Sequence, residues 1–136
     1  MNNNYYIPDI EDIRVGYECE MEDNIKGYFP YIFNEKGVRD VMQDVILDYQ
    51  EAFYRTPYLT KEQIEAEGWK EIPRELNGFG KYSYFQKGDK HITFQEENNY
   101  IEIHNDEGYS EHQTWYEGEC KSINEFRTIC KLLNIT

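Results

Sequence analysis

Three histidines, His91, His104 and His112, fall in one stretch of the chain and carry its most open chemistry. Two or three imidazoles on one face, with a carboxylate such as Glu102 or Glu111, would make a zinc site. The spacing does not ask for one, because no HxH, HxxxH or HExxH run occurs. His104 and His112 flank a turn and can approach each other across a hairpin, yet the neighbouring residues are polar. Histidines that face solvent are the expectation.

The carboxylates cluster at Glu18/Glu20/Glu22/Asp23, Glu62/Glu65/Glu67, Glu96/Glu97 and Asp106/Glu107. A general acid and base pair needs two carboxyls in a cleft with separated pKa values, and a calcium loop needs regularly spaced oxygens. Neither arrangement is written here; Asn105 to Gly108 reads as a turn. No GxSxG nucleophile motif occurs, and Gly78-Phe79-Gly80 leads into a strand pattern where a phosphate loop would lead into a helix. Cys19, Cys120 and Cys130 lack CxxC or Cys–His spacing and read as small buried hydrophobes in a reducing compartment. The chain is therefore not expected to be an enzyme, and no catalytic residue, metal or cofactor is expected.

Charge says more. Aspartate and glutamate number 27 against 14 lysines and arginines, a formal net charge of −13 on 136 residues. Aromatic residues make up 16%, with 13 tyrosines, so the chain can build a core in spite of its charge. An anionic surface repels nucleic acid and anionic membranes and attracts basic protein surfaces. Basic residues are never clustered with aromatics, which argues against direct nucleic-acid binding. No signal-peptide pattern opens the sequence and no run of about 18 apolar residues occurs, so a cytoplasmic protein is expected.

Residues 1–12 read as a polar arm punctuated by Pro8. Ile13, Val15, Tyr17 and Cys19 alternate with polar neighbours as a strand, in which Gly16 suggests a close approach. Tyr28 to Phe33 reads as a returning strand that Pro30 confines to an edge. Val38, Val41, Met42, Val45, Ile46, Tyr49, Ala52 and Phe53 form an apolar stripe at helical spacing, predicting one long central helix from about Val38 to Tyr54. Thr60 and Gln63 make a capping box for a short helix that stops at Gly68. From Trp69 to Glu119 the alternation is that of an antiparallel meander, with turns at Gly88, Asn98-Asn99 and Gly108. Ser122 and Glu125 open a C-terminal helix. Together these predict a single α+β domain over 1–136, with about five to seven strands, the long central helix, the short helix and the C-terminal helix. The loop around Pro57 is the one candidate seam.

Three segments carry a resemblance: IPDIEDIRVGYECE (Ile7–Glu20), PYLTKEQIEAEGW (Pro57–Trp69) and GECKSINEFRTICKLL (Gly118–Leu133). They resemble a group of small accessory proteins encoded by bacteriophages and prophages of gut anaerobes. The group has no assigned activity; what the resemblance implies is an accessory phage product in the cytoplasm of an infected bacterial host. The recognisable segments look like scaffold, and the variable meander between them is where a function would be presented.

The leading expectation is a non-enzymatic acidic protein that docks a basic host or phage protein, as an anti-defence inhibitor would, through Tyr82, Tyr84, Glu96, Glu97, Glu102 and Tyr109. A second is a small-ligand protein that sequesters an anionic nucleotide signal, with Arg14, Arg39, Arg55, Arg74 and Arg127 as phosphate contacts. A third is a minor virion or assembly component, with which a homo-oligomer would be compatible.

Overall fold

The structure, a computed structural model, describes residues 4–23, 25, 27–46, 54–72, 82–107 and 111–135. The chain divides into two compact units, Met1–Tyr58 and Leu59–Thr136, and the boundary falls one residue past Pro57.

In the first unit the elements are β1 (Tyr5–Tyr6), β2 (Glu18–Asp23), β3 (Gly27–Ile32), α1 (Glu35–Ile46) and β4 (Tyr54–Pro57). The strands form one antiparallel sheet in the order β1-β4-β2-β3. Its interior holds Ile13, Tyr17, Cys19, Phe33 and Val41, with Met21, Tyr31, Val38 and Tyr54 packed against them. Pro30 lies on β3, at one edge of the sheet, as its missing amide requires. Asn34 opens α1, its Oδ1 accepting from the Gly37 amide at 2.8 Å.

Three expectations change here. The helix is described from Glu35 to Ile46, starting earlier than the stripe predicts, and it does not reach Tyr54. Tyr54 belongs to β4, where it faces Met21 in register; the stripe positions Tyr49, Ala52 and Phe53 lie outside the described residues. Tyr54–Pro57 is taken up by pairing with β1 and β2, Thr56 is buried there, and Pro57 is unsuited to a helix interior. Gly16 is in a turn at φ +92°, and a Cβ placed there would meet nothing within 4 Å, so the backbone angle selects glycine and no close approach is involved. The N-terminal stretch carries regular structure too, since Tyr5 and Tyr6 pair with Pro57 and Thr56 and a 3-10 turn follows at Ile10–Asp12.

In the second unit, α2 (Lys61–Ala66) precedes β5 (Lys70–Ile72), β6 (Tyr82–Lys87), β7 (Lys90–Gln95), β8 (Tyr100–Glu107), β9 (Glu111–Glu119) and α3 (Ile123–Leu132). The five strands follow one another across the sheet in chain order, so the meander is present as one of two sheets. Alternation puts Phe85, Ile92, Phe94, Ile101 and Ile103 on one face, where Leu59, Ile64, Trp69, Ile123, Phe126 and Cys130 cover them. The fold is α+β, with two antiparallel sheets and three helices among the described residues.

The helix caps are those the sequence writes. Thr60 Oγ1 accepts from the Gln63 amide at 3.2 Å and Gln63 Oε1 accepts from the Thr60 amide at 3.1 Å. Ser122 Oγ accepts from the Glu125 amide, whereas the Glu125 carboxylate reaches one residue further back, to the Lys121 amide at 2.6 Å.

Candidate functional site

The side chains that alternate away from the core of the second unit form an open sheet face. Registers across β6 to β9 align them in rows. Tyr82, Gln95, Tyr100 and Glu119 make one row; Tyr84, Thr93, Glu102 and Glu117 the next; Gln86, His91, His104 and Thr114 a third. The helices α2 and α3 pack on the opposite face, with Ile64 and Phe126 among the buried residues there. Tyr82 retains 43% of its surface and Glu117 is exposed.

Acid and rings meet on the first two rows. The Tyr100 hydroxyl donates to Glu117 Oε1 at 2.5 Å, bridging neighbouring strands. That bond pushes the Tyr100 hydroxyl up to about 12, with desolvation adding to it, so the phenol keeps its proton at neutral pH. Glu119 pairs with Lys121 at 3.4 Å at the rim. Glu96 and Glu97 stand exposed in the 3-10 turn between β7 and β8.

The third row differs in kind. His91 and His104 face each other across β7 and β8 with ring centroids 5.8 Å apart and planes 9° from parallel. With Tyr84, Thr93 and Glu102 they line a shallow depression of about 290 Å³. Among the described residues no group of three or more His, Cys, Asp or Glu could hold a metal ion.

Of the residues expected to bind, Tyr82, Tyr84 and Glu102 share this face, and Glu96 and Glu97 lie in the turn beside Tyr100. Tyr109 lies outside the described residues. Tyr100, Glu117 and Glu119 were not singled out by sequence reasoning; His91 and His104 were, but His104 was set beside His112 and not opposite His91. Tyr100 has a sequence signal, being two residues from Glu102 and so on the same side of a strand. Glu117 and the histidine pair have none, because they depend on which strands are neighbours and in what register.

The arginines weighed as phosphate contacts are divided between the two units. Arg55 is held in the first unit, its guanidinium 3.5 Å and 3.6 Å from the ring centroids of Tyr5 and Tyr28 and its Nε 2.9 Å from Glu20. Arg127 pairs with Glu67 in the second unit, Arg14 and Arg39 are exposed elsewhere, and Arg74 lies outside the described residues. No helix among the described residues is long and apolar enough to cross a membrane.

No known protein family matches the chain, and no curated protein or solved structure matches it either.

Proposed function

We propose that this chain is a non-enzymatic binding protein that docks a basic protein surface on the open face of its five-stranded sheet. The observation that carries the reading is the coincidence of three part-exposed tyrosines, Tyr82, Tyr84 and Tyr100, with Glu102, Glu117 and Glu119 on two adjacent rows of one face. Tyrosine supplies contact area with few rotatable bonds to immobilise, and carboxylates around it select a cationic partner and speed its arrival. An open antiparallel face suits a protein surface better than a small molecule. In keeping with the resemblance of its three scaffold segments, the partner is a basic host or phage protein in an infected bacterial cytoplasm. Masking a nucleic-acid-binding surface, as an anti-defence inhibitor does, is the action this charge pattern suits.

The test is a pull-down from bacterial lysate with the tagged chain at low and at high salt. A basic protein retained at low salt and released at high salt is expected, since screening weakens this attraction. Recovery of no basic protein at either salt contradicts the reading.

A further inference from the structure

On the other side of the second unit the sign of the charge inverts. A cleft of about 380 Å³ is lined by Lys87, Arg127 and Lys131 together with Glu67, Trp69 and Phe126. Three of the chain's 14 basic residues thus gather around one hollow, in a protein of net charge −13. Against them stands one carboxylate, Glu67.

Each cation arrives by a different route. Lys87 follows the buried Phe85 by two residues on β6 and so points to the core side, at its margin. Arg127 and Lys131 are one turn apart on α3 and line the cleft with Cys130. Trp69 and Phe126 stack edge-on below them, 6.2 Å between centroids, and give the cleft an apolar floor.

Structural duties account for part of this charge. Lys87 Nζ donates to the Glu67 carbonyl at 2.9 Å at the end of α2, and Arg127 pairs with the Glu67 carboxylate. Lys131 has neither duty. It has no carboxylate partner among the described residues. The final carbonyls of α3 are already taken by backbone amides, Ile135 bonding Cys130 at 2.8 Å and Asn134, at φ +56°, bonding Lys131 at 3.1 Å. Among the lining residues cations outnumber carboxylates three to one. A phosphate monoester is a dianion at neutral pH, and a hollow of this size lies at the lower end of small-ligand pockets.

We propose that this cleft binds a small organic phosphate, its phosphoryl group held by Lys87, Arg127 and Lys131 and its organic part against the Trp69–Phe126 floor. The site is separate from the open sheet face, and neither proposal depends on the other. Anions are repelled by this molecule as a whole, so local inversion of sign gives the cleft selectivity over the rest of the surface.

The test titrates the full chain with inorganic phosphate and with adenosine 5′-monophosphate at fixed ionic strength, following the Trp69 indole resonance, with sodium chloride as the blank. Both probes are expected to saturate, the nucleotide more tightly. Lys131→Glu, at an exposed position with no carboxylate partner among the described residues, is expected to weaken both at least tenfold. Lys70→Glu, on an exposed position of β5, is expected to leave them unchanged; unaltered circular dichroism and melting confirm that both variants fold. The proposal is overturned if chloride produces the same shifts, if the nucleotide binds no better than phosphate, or if the two variants weaken binding equally.

Discussion

At the scale of single residues the clearest physics is in the thiols. Cys19, Cys120 and Cys130 are free and buried. Burial pushes the Cys19 thiol up to about 12 and the Cys130 thiol up to about 11, and it raises Cys120 as well. None is a nucleophile at neutral pH, and iodoacetamide at pH 7.5 should label the native chain slowly and the denatured chain quickly. Fast labelling of the native protein would contradict this burial. The same shifts fix the sign of an alkaline effect. A thiol whose folded pKa lies above its unfolded value, near 8.5, adds stability fully present below that value and lost as pH climbs toward the folded one. The melting temperature should therefore fall between about pH 8.5 and pH 11; a flat profile would contradict it. That these cysteines are core residues was readable from their apolar neighbours and from the absence of ligand spacing. The stacked His91–His104 pair was not, because only the β7–β8 register makes residues 13 apart in the chain into neighbours.

At the scale of elements, local punctuation was readable and pairing was not. Thr60, Gln63, Gly68 and Ser122 act within one turn of their own positions, so the caps of α2 and α3 stand where the sequence puts them. Thr60→Ala should lower stability by roughly 1 kcal/mol, as loss of a side-chain cap does; a chemical denaturation curve measures it, and no loss would show that the box is ornamental. Gly16→Ala places a side chain at φ +92° and should cost about 1 kcal/mol or more through backbone strain, since nothing crowds the position. If strain is the cause, Gly16→Asn should be milder than Gly16→Ala, because asparagine tolerates positive φ better. The long helix was over-extended for a related reason. Apolar spacing through Phe53 matches a helix, but Tyr54 to Pro57 is claimed by a sheet whose other strands lie far away in the chain. Pairing of Arg55 with Glu20 spans 35 residues, and no local pattern encodes it.

At the scale of the molecule, two separate sets of buried side chains account for two compact units. One gathers around Phe33 and Tyr17, the other around Phe85, Phe94 and Phe126. Overall acidity was visible at once in the composition, but its geography was not. The chain places acid beside tyrosine on one face of the second unit and collects three cations in a cleft of the same unit, a contrast that a net charge averages away. The open sheet face is an outcome of topology: α2 and α3 both pack on the same side, and alternation leaves Tyr82 and Glu117 exposed and Tyr84, Tyr100 and Glu102 half-buried on the other.

The most direct test of the docking face is a comparison of two charge-matched double variants in salt-dependent capture from bacterial lysate. One is Glu102→Lys with Glu117→Lys on the open face; the other is Glu62→Lys with Glu65→Lys on α2, where both carboxylates are exposed. The two carry the same net charge and differ only in where it was changed. The basic protein held by the wild-type chain at low salt should be lost from the face variant and kept by the α2 variant. Equal retention, or equal loss, would mean that the acidic tyrosine face is not where the partner docks.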